Sequence, residues 1–355
     1  MKQTVAQLVR PEILDIQAYS VADAAGYIKL DAMENPYTLP AELAGRLGER
    51  LAAAAINRYP DPAGGGLKSL IQTTFAIPAA ASLILGNGSD EIITLITQAL
   101  VRPGAKVLAF EPSFVMYRMN AVFSGLEYVG VPLKADFALD LPATLEAIRQ
   151  HQPAVVFVSY PNNPTGNRFA RADVEAILDA APGLVVVDEA YQAFADDSFM
   201  ALAGRFDNLL VLRTLSKLGL AGIRLGYAAG TPAWIEQLDK LRPPYNVNVL
   251  TQEAARFALE QLAVFDAQAA TLRAERERLA AGLAGLPGFT VFASEANFLT
   301  VRVPDAPALY AGLKRAGILI KNLHGWHPLL EHCLRFTVGS VQENDAVLAA
   351  LASLV

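Results

Sequence analysis

Cysteine is nearly absent: the 355 residues include one, Cys333. A single thiol cannot close an internal disulfide or build a cysteine-rich zinc site. It suits a reducing compartment, so a cytoplasmic location is expected. Long apolar runs are missing as well. No stretch approaches the roughly 18 consecutive apolar residues of a membrane-spanning helix. The opening MKQTVAQLVRPEILDI lacks the apolar core of an export signal. The expectation is a soluble, unexported chain with no membrane partner. Charged residues are scarce at 18%, and 29 Lys+Arg against 35 Asp+Glu leave a net charge of −6. That balance argues against a general nucleic-acid binder, yet a local basic pocket for a small anion is compatible with it.

What the chain has in quantity is apolar surface. Hydrophobic residues make up 53%, which excludes a disordered chain and hints at extensive burial, a subunit interface included. The length exceeds the roughly 250 to 300 residues at which single cores stop growing, so two domains are the default. Through the middle, short β-branched runs alternate with helical stretches, at 83–85, 106–110, 154–159, 184–187 and 209–212. Runs such as AVVFVS and LVVVD are apolar at almost every position, as strands of a mostly parallel sheet covered on both faces must be. From about Pro243 the pattern changes. A long charged helix over roughly 252–282 precedes the shorter strand candidates FTVFA, NFLTVRV, GILIK and CLRFTV. The fold class is therefore α/β, with a large domain over 41–245 and a smaller α+β domain from 1–40 with 246–355.

In open α/β sheets, ligands bind beyond the carboxyl ends of the strands. Three polar motifs follow the apolar runs there: SYPNNPTG from Ser159, VVVDEAY from Val185 and RTLSKLGLAGIRLGY from Arg213. Singly, each has a plain structural reading: Asp188 as a helix cap, Asn163 in a proline-rich turn, Lys217 as a solvated loop lysine. Jointly and in this order they resemble the fold-type-I enzymes that use pyridoxal phosphate, specifically the aminotransferases, over nearly the whole chain. The resemblance implies a large domain with a mostly parallel seven-stranded sheet. It also implies pyridoxal 5'-phosphate as cofactor. An electron-poor pyridine ring needs a buried carboxylate beside its nitrogen, and Asp188 matches that position. Asn163 and Tyr191 match the donors to the ring's phenolic oxygen. Lys217 matches the lysine that joins the cofactor aldehyde and then moves the proton.

The stretch LGNGSDEIITLITQAL offers a strand, a glycine turn and a helix start, suited to a phosphate. Gly88, Ser89 and Asp90 are the expected cradle, acting through the main chain, with the Asp90 carboxylate turned toward N–H groups of the helix's first turn. The stretch lacks the third glycine of a dinucleotide fingerprint, which disfavours a Rossmann dehydrogenase. By the resemblance, Thr214, Ser216 and Arg224 are the phosphate-binding side chains. Phe114 is the aromatic that stacks on the ring, with Tyr117 as a substitute. Tyr59 matches a tyrosine that reaches the neighbouring site across a homodimer. The triple Gly64, Gly65, Gly66 reads as a turn before a helix, for no strand precedes it.

CLRFTVGS and MENP narrow the resemblance to the histidinol-phosphate aminotransferase family. It implies glutamate and histidinol phosphate as substrates. Arg335 would receive the carboxylate of one and the phosphate of the other, for a guanidinium pairs bidentately with either. Lys321 stands where many relatives carry arginine, Tyr19 matches a tyrosine at the substrate phosphate, and Asn163 lies near both ligands. Met33 replaces the usual asparagine of that motif. Aromatic or aspartate aminotransferases and a threonine-phosphate decarboxylase of the same fold are the alternatives, and a noncatalytic cofactor-binding regulator is a remote one. No metal site is expected: His324, His327 and His332 read as a loop near the substrate pocket, because Pro328 interrupts any helix and the spacing is unspecific.

Overall fold

The structure, a computed structural model, describes residues 3–18 and 21–355. Its strands in chain order are β1 (Ile28–Leu30), β2 (Ser82–Asn87), β3 (Lys106–Glu111), β4 (Glu127–Pro132), β5 (Val155–Ser159), β6 (Leu184–Asp188), β7 (Leu209–Thr214), β8 (Leu225–Gly230), β9 (Thr290–Val291), β10 (Phe298–Arg302), β11 (Ile318–Asn322) and β12 (Cys333–Thr337). β2 to β8 form one sheet in the order β2-β8-β7-β6-β5-β3-β4. Only β8 runs against its neighbours, so the sheet is mostly parallel and seven-stranded, as expected. A second sheet, β1-β11-β12-β10-β9, is antiparallel apart from the β1–β11 pair.

The continuous apolar runs follow from two cores on the two faces of the large sheet. Along β5, Val156 and Val158 enter one core while Val155 and Phe157 enter the other. Along β7, Leu209 and Val211 alternate in the same way with Leu210 and Leu212. Side chains of a strand point alternately to opposite faces, so a strand buried on both must be apolar at every position. The smaller sheet has its own core around Leu299, Val301, Leu313, Phe336 and Val347. A fourth cluster, with Met33, Tyr191, Leu272, Phe298 and Val338, lies where the two sheets meet.

Two elements differ from the sequence reading. The long helix expected over 252–282 is two helices, Val249–Glu260 and Leu262–Ala284, parted at Gln261, whose φ of −114° is not helical. The break has a packing cause: Ala255, Ala258 and Leu259 enter the large-sheet core, and the second helix goes on to place Leu279 and Leu283 in the small one. Strand β8, LGYAAG, carries no β-branched signal. Its small residues are a steric demand, since a Cβ on Gly226 would lie 2.4 Å from the backbone nitrogen of Ser89.

Candidate active site

Parallel register places the carboxyl ends of β5 and β6 side by side, with Ser159 opposite Asp188. Beyond them opens a cleft of about 560 Å³ lined by Ser89, Asp90, Phe114, Asn163, Asp188, Tyr191, Thr214, Ser216, Lys217 and Arg224, with Met33, Ser159 and Ala190. Most of the residues singled out in the sequence thus meet in one place, though they come from six separate segments of the chain.

Asp188 is buried. Its carboxylate accepts hydrogen bonds from Tyr117 Oη at 2.8 Å and from the Ala190 N–H at 3.1 Å. Burial nevertheless pushes its pKa up to about 7, against the pull of those donors. Lys217 is the opposite case. Burial, with the positive charge of Arg335, lowers its amine to about 8, and its Nζ donates to the Ala32 carbonyl at 2.9 Å. The Nζ also lies 5.9 Å from the centroid of the Tyr191 ring. The Lys217 loop is held from outside by Asn35 of the MENP motif, whose Nδ2 donates to the Leu218 carbonyl.

At the other end of the cleft the donors gather. Thr214 Oγ1 donates to Ser216 Oγ at 2.9 Å, and Arg224 Nη1 donates to the same hydroxyl at 3.3 Å. The helix Ser89–Ala99 begins at this point, and no side chain caps its first turn. Gly88 precedes it at φ +83°, and a Cβ there would lie 2.6 Å from Arg224 Nη2. Only glycine lets the guanidinium approach so near the turn. The Asp90 carboxylate does not turn back on its own helix as expected. It faces Arg224 Nη2 at 3.7 Å, and Glu91 is the acid that folds back, accepting the Asn87 N–H at 2.6 Å.

Two of the residues expected on the substrate side, Lys321 and Arg335, come from the small sheet. Arg335 on β12 is buried; it donates to Asn163 Oδ1 at 2.6 Å and to the Asp31 carbonyl at 2.8 Å. Lys321 on β11 stands directly opposite Arg335 in the antiparallel register. Met33 lines the cleft from a left-handed backbone conformation, φ 53°, fixed by its N–H to Thr337 Oγ1 and by Asn297 Nδ2 to its carbonyl. Tyr59 lies apart from the cleft, 79% exposed and stacked on Tyr245 at 4.3 Å. Tyr19 falls outside the described residues.

Tyr117 is the residue whose role the sequence reading missed. It was expected as a substitute ring stack; instead it is buried, stacked on Phe157 at 4.7 Å, and its hydroxyl holds Asp188. Phe114 meets it edge to face at 5.5 Å and itself lines the cleft. His324, Glu331 and His332 do come together at the surface. His324 Nδ1 accepts the His332 N–H at 3.0 Å, which closes the base of the loop.

These donors suit pyridoxal phosphate. The Thr214, Ser216 and Arg224 cluster beside an uncapped helix start fits a phosphate dianion. A buried carboxylate raised to about 7 by burial is matched to a ring N–H⁺. A half-buried amine lowered to about 8 is matched to an aldehyde.

Residues 25–351 match the family described as aminotransferase class I and II, and the chain belongs to that family. Within it, the chain is 71% identical to the histidinol-phosphate aminotransferase of Chromobacterium violaceum, over 99% of both chains. It is 52% identical to the enzyme of the same name from Neisseria meningitidis, over 99% of this chain and 98% of the other. Among solved structures, that of the Sinorhizobium meliloti histidinol-phosphate aminotransferase in complex with pyridoxal-5'-phosphate superposes with a TM-score of 0.86, covering 98% of this chain and 97% of that one. At 24% identity this likeness speaks for the fold alone.

Proposed function

We propose that the protein is a pyridoxal-phosphate-dependent transaminase that exchanges an amino group between L-glutamate and imidazole-acetol phosphate, giving L-histidinol phosphate in histidine biosynthesis. One observation carries the chemistry: the buried Asp188 carboxylate and the half-buried Lys217 amine line the same cleft. The full-length identity of 71% to an enzyme of that name supports the choice of substrate over aromatic, aspartate or threonine-phosphate alternatives.

When bound, pyridoxal phosphate supplies a reactive aldehyde and an electron-withdrawing pyridinium ring. Lys217 Nζ is the base, taking the proton from the substrate carbon that bears the amino group. An amine lowered to about 8 is neutral in part near neutral pH, which this role requires. Asp188 holds the proton at the ring nitrogen, and Tyr117 fixes the carboxylate that does so. Asn163 and Tyr191 orient the ring oxygen, Phe114 covers one face, and Thr214, Ser216, Arg224 and the Gly88–Asp90 turn hold the phosphate. Arg335 receives glutamate's carboxylate and the partner substrate's phosphate in turn, with Lys321 adding charge for the dianion.

The same proposal divides the chain into a cofactor-carrying unit over 41–245 and a smaller one from 1–40 with 246–355, the helix Val249–Glu260 leaning back on the former. It makes the protein a cytoplasmic homodimer in which the exposed Tyr59 reaches the neighbouring site, and Tyr19 a contact of the substrate phosphate. No described helix is long and apolar enough to cross a membrane. Single-turnover absorbance changes on mixing the holoenzyme with histidinol phosphate, glutamate, aspartate, phenylalanine or threonine phosphate test the assignment. A response to the first two is expected; silence toward histidinol phosphate rejects it.

A further inference from the structure

Lys321 and Arg335 are direct cross-strand partners, so their side chains leave the same face of the small sheet. Arg335 is oriented by Asn163 and the Asp31 carbonyl. Lys321 has no planar fork to orient it; it is a point charge on a flexible four-carbon stem. Burial and the like charge of Arg335 both press its pKa down, with Asp31 opposing. What meets its ammonium is an indole: Lys321 Nζ lies 5.0 Å from the centroid of the Trp326 ring. The negative face of an aromatic ring attracts an ammonium and favours its charged form.

Trp326 is not placed there by burial, for it is 53% exposed. The loop between β11 and β12 places it. Gly325 turns at φ +81°, the Trp326 N–H donates to the Leu323 carbonyl at 3.2 Å, and the Leu323 N–H donates to the Cys333 carbonyl at 3.1 Å. His324 accepts from the His332 N–H across the loop's base. Trp326 also lines, with Phe114 and Pro164, a second cleft of about 610 Å³. Phe114 lines both clefts, so the indole stands next to the cofactor site.

We propose that Trp326 is a positioning residue for recognition of the substrate's phosphate: its ring holds the Lys321 ammonium aimed alongside Arg335, so that two cations meet the dianion. The inference rests on the function proposed above and deepens it. Glutamate's carboxylate is served by the Arg335 fork, so Trp326 bears on one half-reaction and not on the other.

The test uses the holoenzyme and spectroscopic dissociation constants for histidinol phosphate and for glutamate. Trp326→Ala weakens histidinol phosphate about tenfold, equivalent to about 1.4 kcal/mol, and leaves glutamate affinity and both limiting rates within about twofold. Trp326→Phe, which keeps a π face, retains most of the affinity. In a Lys321→Met background, Trp326→Ala adds no further loss. The intact glutamate half-reaction shows that each variant is folded and loaded. Equal losses for both substrates, a Trp326→Phe as weak as Trp326→Ala, or additive losses with Lys321→Met overturn the assignment. A wild type that ignores histidinol phosphate rejects the substrate reading and Trp326 with it. A wild type that binds it, paired with a Trp326→Ala variant that binds it equally well, rejects Trp326 alone.

Discussion

Asp188 and Glu189 are chain neighbours, both acidic and both buried, and they have opposite fates. Glu189 turns away from the cleft to Arg213. The guanidinium approaches at 2.8 Å, and Ser198 Oγ and the Phe199 N–H complete the shell. Burial pushes the Glu189 pKa up while Arg213 pulls it back. Asp188 faces the cleft with a tyrosine hydroxyl and one backbone N–H as donors, and among the described residues no salt bridge reaches it. A carboxylate matched by a cation inside the protein supports the fold. One matched only by neutral donors, and aimed into a cleft, is held for a cation that arrives with a ligand.

The contrast can be broken or sharpened by experiment. Lys217→Ala, the largest effect, abolishes transamination and leaves no borohydride-reducible bond to pyridoxal phosphate, read by absorbance and by mass. Asp188→Asn lowers kcat by about 10² to 10³-fold, the scale for removing one electrostatic stabiliser, and leaves the cofactor-free protein no less stable. Glu189→Gln does the reverse. It strands Arg213 in the interior and costs about 3 to 5 kcal/mol in denaturant unfolding, with the activity per folded, loaded molecule preserved. A Glu189 variant with normal stability and lost activity would erase the distinction.

Smaller effects sharpen it. Removing the Tyr117 hydroxyl with Tyr117→Phe takes away a donor that lowers the Asp188 pKa, and reduces kcat/KM by about tenfold, the worth of one hydrogen bond to a charged group. The pH dependence has a definite sign. A carboxyl raised from 3.8 to about 7 contributes stability below 3.8 that is lost as pH climbs through 7. Thermal melts of the cofactor-free wild type therefore fall relative to Asp188→Asn between these values and level off beyond. Lys217 titrates in the opposite sense: capture of pyridoxal phosphate by the cofactor-free protein speeds up about fivefold from pH 7 to 8 as the amine loses its proton, and flattens above about 9.

Much of the site was readable in advance because its side chains sit at the ends of unmistakable apolar strands, and strand ends are where such sheets hold ligands. Asp188 and Asn163 were found that way, and Lys217 by the motif after β7. Tyr117 was not assigned its partner because the helix from Val115 brings it to Asp188 across 71 residues of chain, a distance local pattern does not span. Asp188 and Glu189 look alike in the sequence, for alternation along a strand says that they part but not which of them meets Arg213. Strand β8 escaped because its residues answer to the backbone packed over Gly226 and not to any β propensity. Trp326 gave no signal at all, since it stands in the loop after β11 and what it meets is the ammonium of a lysine five positions earlier on that strand.

Arg335 joins Asn163 of the larger sheet's loops to the Asp31 carbonyl beside the smaller sheet, so the side chain proposed to receive the substrate is also a rivet between the two sheets. Any anion that draws on this guanidinium loads the seam. Under the proposed function, occupancy would then be leverage: an anion competing for these two hydrogen bonds would loosen the fastening between the sheets.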